Sequence, residues 1–176
     1  MSSTRFVFNY AMAYRHFGLD EYRGGVAHGI EYLREFHRNL QTGGYAWTLN
    51  GQEVTDARNH CYGLAFVLLA YAKAVEAGFD EARAYLDETR DLMEARFWDA
   101  QHGLYKDEAS VDWKVSDYRG QNANMHTCGA LLAAFGATGE ARYLDRAALL
   151  AGPHGESPGE PRGRPRVGTL QAGLVD

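Results

Sequence analysis

Proline is missing from the first 152 residues; all four prolines, at 153, 158, 161 and 165, crowd into the last stretch of the chain. Aromatic residues show the opposite bias, with no Phe, Tyr or Trp after residue 151. A segment reading GPHGESPGEPRGRPRVGTLQAGLVD has little apolar surface to bury and does not repay its ordering entropy. Residues 152–176 therefore read as a Pro/Gly-rich disordered tail and 1–151 as one folded unit. Cysteine is also scarce. Cys61 and Cys128 stand alone with no CxxC spacing, which favours reduced, buried small hydrophobes over a disulfide or a metal site. No apolar run approaches the roughly 20 residues of a membrane span. The opening MSSTRFVFNYAM has no basic segment leading into an apolar core, so it does not read as a signal peptide. Positive charge is short as well: 18 Lys and Arg face 23 Asp and Glu, for a net charge of −5, which excludes the basic stripe of a nucleic-acid surface. These absences point to the cytoplasm, with no nucleic acid and no membrane as partner.

What is present is globular, with 45% hydrophobic and 23% charged residues. Six segments carry helical periodicity: about 3–18, 22–40, 56–77, 80–97, 121–137, and one starting near 140. The third is apolar nearly all round (Tyr62, Ala65, Phe66, Leu69 and Ala72, with Val67, Leu68 and Tyr71 beside them), and the fifth is mostly so. Such helices are buried ones. Thr55-Asp56 and Asp80 are N-cap candidates, and Gly18, Gly78 and Gly139 stand where helices should stop.

The connections repeat. Helix two runs out through Gly43 to Tyr45 and helix four through Gly103 to Tyr105, with Leu33 and Met93, then His37 and Phe97, at the same spacing. Each is followed by a short polar stretch (YAWTLNGQE, LYKDEAS) suited to a brief hairpin. The repeat, about 60 residues, exceeds the 33–47 residues of TPR, ankyrin or HEAT units. It fits an all-α, partial (α/α)6 toroid of about three helical hairpins, with helices one, three and five inside and two and four outside. Six such pairs need on the order of 360 residues.

In such a ring the heads of the inner helices surround the cavity. Arg5 opens helix one; Asn59, His60 and Tyr62 open helix three; Gln121, Asn122, Asn124 and His126 open helix five. Asn122 and His126, at i and i+4, share a face and can hold one ligand together. Polar residues clustered at the head of an apolar helix favour a site over packing.

The run Arg119-Gly120-Gln121-Asn122-Ala123-Asn124-Met125-His126 resembles the N-x-N-M-H signature of the N-acylglucosamine 2-epimerase superfamily, which includes sugar 2-epimerases and aldose–ketose isomerases. Thr4-Arg5-Phe6 and His60-Cys61-Tyr62-Gly63-Leu64-Ala65-Phe66 are similar to the same family at compatible spacing, nearest its mannose isomerase branch; the likeness covers about 1–150. The resemblance implies a free aldose as substrate, ring opening, an enediol intermediate and no cofactor, with mannose–fructose type isomerisation favoured. It implies that Arg5, Tyr62, Asn122 and His126 line the sugar pocket. Arg5 would stabilise the developing oxyanion and Tyr62 would offer an apolar face. His126, the one catalytic candidate in reach, would place or polarise a substrate oxygen. The resemblance also puts the two proton-shuttling histidines on later inner helices. It expects a glutamate where Gly129 stands and a further helix before Met1. The change at 152 has the pattern of a shifted reading frame or an early truncation. A truncated form of this kind is expected to show little isomerase activity and to self-associate through exposed inner-helix faces, here Leu68, Leu69, Leu131 and Leu132.

The remaining polar residues read plainly. His16, His28, His37 and His102 are surface residues, no histidine pair has metal-ligand spacing, and Asp80–Arg96 is a solvated helix face. A toroid glycoside hydrolase would need two carboxylates across the cavity, for which Asp56 and Asp117 are the candidates, although both also suit N-capping. A non-catalytic half-toroid that binds a sugar or a partner is the third reading.

Overall fold

Helical periodicity sets the frame of the computed structural model, which describes residues 2–152. Six α-helices run in order: α1 (Ser2–Phe17), α2 (Asp20–Tyr32), α3 (Cys61–Glu76), α4 (Ala82–Arg96), α5 (Gln121–Thr138) and α6 (Ala141–Ala151). Between them lie short strands: β1 (Thr48–Asn50), β2 (Glu53–Asp56), β3 (Asn59–His60), β4 (Trp98–Asp99), β5 (Leu104–Tyr105) and β6 (Glu108–Ala109). Of the tail expected at 152–176, residues 153–176 lie outside the described residues.

α3 packs against both α1 and α5, while α2, α4 and α6 each lie against the helix that precedes them. These are the three expected hairpins, with α1, α3 and α5 as one layer and their partners as the other. The all-round apolar sequence of α3 is explained by that position. Leu64, Val67, Leu68, Tyr71 and Ala74 are fully buried because the helix has neighbours on three sides. The same packing corrects one expectation: Leu68 and Leu131 are buried rather than exposed and Leu69 is half-buried, whereas Leu132 is exposed.

The repeat appears as matched bonds. Gly43 and Gly103 both take positive φ, 75° and 65°, conformations that suit glycine. Two residues later Tyr45 and Tyr105 are buried. The Tyr45 N–H donates to Asn59 Oδ1 at 2.9 Å, and the Tyr105 N–H donates to Asn124 Oδ1 at 2.7 Å. Upstream, the Ala46 N–H donates to the His37 carbonyl and the Lys106 N–H to the Phe97 carbonyl, both at 2.8 Å. His37 is thus no surface residue. It occupies the buried position that Phe97 fills in the next unit, turned inward by a π-type turn over Leu33–His37. One ring nitrogen bonds the Ala46 carbonyl (2.9 Å) and the other the Ser3 hydroxyl (3.0 Å), and burial holds its pKa below the ordinary histidine value.

Three sequence expectations shift. Helix three starts at Cys61, because 53–56 pair as β2 with β1; Thr55 and Asp56 are strand residues, not caps. α4 starts at Ala82 behind Glu81, with no side-chain cap from Asp80. The YAWTLNGQE stretch makes the expected hairpin (β1–β2), but LYKDEAS does not close on itself. Its first strand pairs back to β4, and β6 pairs with β3 across the hairpin boundary. That last pairing draws the second link against the head of α3.

Candidate functional site

The heads of α1, α3 and α5 meet around Phe66. The Arg5 guanidinium donates to Tyr62 Oη at 3.0 Å and lies over the Phe66 ring with Cζ 4.8 Å from its centroid. The His126 ring stands perpendicular to Tyr62, centroids 5.0 Å apart, and tilted on Phe66 at 4.9 Å. Arg5, Tyr62 and His126, drawn from three helices, are therefore one cluster. Phe66 is its hub, a residue the sequence reading placed among core positions.

Asn122 joins the cluster through a cavity of about 490 Å³, lined by Trp47, His60, Tyr62, Asp107, Tyr118, Gly120, Gln121 and Asn122. That size is within the usual range for small-molecule sites. Tyr62, common to cluster and cavity, connects the four candidates; Arg5 and His126 themselves are not among the cavity-lining residues. Asn124 is not part of it. Its amide is buried, donating to the carbonyls of Tyr105 (3.0 Å) and Gly120 (2.9 Å), so it ties the second link to α5.

The cavity walls come from links as well as helices. Trp47 packs on His60 with centroids 4.5 Å apart and on Tyr62 at 6.1 Å. His60 sits in β3 with Nδ1 3.7 Å from a Glu108 carboxylate oxygen and Nε2 buried without a hydrogen-bond partner among the described residues; desolvation lowers its pKa, against the pull of Glu108. Asp107 is pushed the other way, its pKa raised by burial, with nearby His60 opposing that rise. Of the acids weighed from sequence, neither lines the cavity. Asp56 is bonded by Arg58, which holds its pKa down at about 2, and Asp117 is exposed and paired with Lys106. Cys61 is buried beside Thr127, its thiol pushed up to about 12 by burial, which leaves it inert.

Sequence reasoning missed Trp47, Asp107 and Tyr118, which sit in the connecting segments. A signal for two of them was present: Trp47 and Asp107 each lie two residues past the repeated tyrosine. Their backbones are fixed alike, the Trp47 N–H on the Asp56 carbonyl (2.8 Å) and the Asp107 N–H on the Tyr118 carbonyl (2.9 Å).

Layered helical hairpins whose inner helix heads converge on a polar, aromatic-walled cavity define the (α/α)6 toroid class, of which this chain is a part. The chain belongs to the N-acylglucosamine 2-epimerase (GlcNAc 2-epimerase) family, whose model matches residues 1–154. The D-mannose isomerase of Marinomonas mediterranea is 57% identical over 152 residues, covering 86% of this chain. The crystal structure of a D-mannose isomerase superposes with a TM-score of 0.82 at 56% identity, over 85% of this chain and 38% of that one. The cellobiose 2-epimerase from Bacillus thermoamylovorans shares the fold, with a TM-score of 0.79 at 20% identity over 84% of this chain and 42% of that one. The chain spans 38% of the length of the Marinomonas protein.

Proposed function

We propose that this chain builds the aldose-gripping wall of a sugar isomerase site of the mannose–fructose type. The observation that carries it is the convergence of Arg5, Tyr62 and His126 on Phe66, with Asn122 on the adjoining cavity. Similarity to D-mannose isomerases supports the choice of sugar.

In this reading the Asn122 amide donates to one sugar hydroxyl and accepts from another, and Tyr62 covers an apolar face of the sugar. After ring opening, the C2 proton leaves and O1 gains a proton to give the enediol. A proton then enters at C1 while O2 loses one and becomes the ketose carbonyl. Negative charge develops on oxygen in both steps, where the Arg5 cation stabilises it. His126 polarises or places a substrate oxygen. A reducing compartment such as the cytoplasm, and a role in carbohydrate metabolism, fit the two free cysteines and this substrate.

Calorimetric titration with mannose tests the reading. Mannose is expected to bind the wild-type chain, and Arg5→Ala or Asn122→Ala to weaken binding about tenfold or more. Deuterium entering mannose C2 or fructose C1 in heavy water reports the enediol. A chain indifferent to mannose, fructose and other aldoses overturns the reading, and cleavage of a mannoside replaces it with the hydrolase.

A further inference from the structure

Among the described residues, carboxylates are paired or exposed, and some, such as Asp117, are both. Those drawn in from solvent have partners: Asp56 with Arg58, Glu76 with Lys73, Glu88 with Arg34, Glu94 with Arg146, and Asp99 with Arg119. Those without partners, such as Glu31, Asp80 and Asp145, are exposed. Asp107 fits neither group. It is partly buried and lines the cavity, yet among the described residues its carboxylate has neither a hydrogen bond nor an ion pair. A partly buried carboxylate with no protein donor keeps its acceptor sites open to the cavity, and the surrounding aromatic wall of Trp47, Tyr62 and Tyr118 is the kind that borders sugars.

A second observation is steric. A methyl group on Gly120 would collide with Asp107 Oδ1. Gly120 has φ −69°, which any residue adopts, so conformation does not require glycine there. The space it leaves is the space the Asp107 carboxylate occupies. A third is the repeat: Asp107 holds the position of Trp47, with the same backbone anchoring and on the same cavity. The first unit contributes a ring at this position and the second an acceptor.

We propose that Asp107 is a specificity-determining residue whose carboxylate accepts hydrogen bonds from sugar hydroxyls in the cavity, and that Gly120 keeps that carboxylate in place. This rests on the monosaccharide reading above. Hydrogen bonds to a charged acceptor are the stronger kind, and a site built around one rejects ligands that lack the matching hydroxyl.

The experiment compares the wild-type chain, Asp107→Asn and Gly120→Ala, titrated calorimetrically with mannose and with its 3-, 4- and 6-deoxy analogues. The backbone bonds of Asp107, from Cys61 N–H to its carbonyl and from its N–H to Tyr118, do not involve the carboxylate, so Asp107→Asn is expected to fold. Expected is a loss of about tenfold or more in mannose affinity for Asp107→Asn. One deoxy analogue should bind the wild type correspondingly worse than mannose, yet bind Asp107→Asn no worse than mannose does. Gly120→Ala should show the same loss of discrimination with an unchanged circular dichroism spectrum. Equal mannose affinity in wild type and Asp107→Asn overturns the proposal. So does a loss shared equally by mannose and every analogue, or full discrimination retained by Gly120→Ala. A wild-type chain that binds no aldose overturns the sugar reading itself, and Asp107's role with it.

Discussion

Asn122 and Asn124 stand two residues apart at the head of α5 and do different things. Asn122 is exposed and borders the cavity; Asn124 is buried and holds three backbone groups of the second link and the helix head. Removing the Asn124 amide strands the Tyr105 N–H in the core, and an unsatisfied buried donor costs about 1–3 kcal/mol. Asn124→Ala is therefore expected to lower the stability read from urea unfolding by that amount. Asn122→Ala should leave the unfolding midpoint nearly unchanged while weakening mannose binding. A reversal, with Asn122→Ala the destabilised one, would contradict the assignment. The sequence reading placed both asparagines at the polar head of helix five and singled out Asn122 for the pocket; the inward turn of Asn124 was not legible, because a motif reports residue type and spacing but not which way a side chain faces. His37 is the opposite case. Its repeat partner Phe97 already marked a buried position, and the polarity of imidazole argued against burial only until its two hydrogen bonds, to Ala46 and Ser3, were seen.

At the scale of elements, α5 carries a glycine where most helices would not. Gly129 lies in the middle of Gln121–Thr138, exposed, and a methyl group there would meet nothing within 4 Å. Glycine costs a helix interior roughly 0.5–1 kcal/mol relative to alanine. Gly129→Ala is thus expected to stabilise the chain by about that amount, read as a rise in melting temperature. No rise, or a fall, would mean that α5 bends at Gly129 in solution. The helices themselves were legible from apolar spacing, and the links less so. Strand pairs of two to four residues carry too little pattern to be read, and the β3–β6 pairing joins segments 50 residues apart.

For the molecule as a whole, apolar side chains remain exposed on the inner layer, and others on α6 (Leu144, Leu149) and in the links (Leu40, Val54). Phe6 on α1 is 43% exposed, and Met125 and Leu132, seven residues apart on one stripe of α5, are 54% and 48% exposed. Contiguous apolar patches beyond a few hundred Å² promote association. Static light scattering is expected to give a mass that rises with concentration; a constant 19.6 kDa would show that these faces stay apart. Turnover of mannose to fructose by the same samples is expected to fall well below the 1–10³ s⁻¹ typical of enzymes. Proton exchange between C1 and C2 needs a positioned base. Beside His126, the cavity histidine among the described residues is His60, whose Nε2 is covered.

The sequence by itself determined the helical class, the 60-residue repeat, the family, and the four residues Arg5, Tyr62, Asn122 and His126 as candidates. Periodicity and motif spacing are local properties that survive without coordinates. Only the tertiary structure decided that Phe66 is the hub, that Asn124 and His37 are internal ties, and that Trp47 and Asp107 face one cavity. Those facts depend on which segments the β3–β6 pairing and the α1–α3–α5 layer bring together. Contacts of that kind are set by burial and backbone hydrogen bonding across the chain, and no local stretch of it contains them.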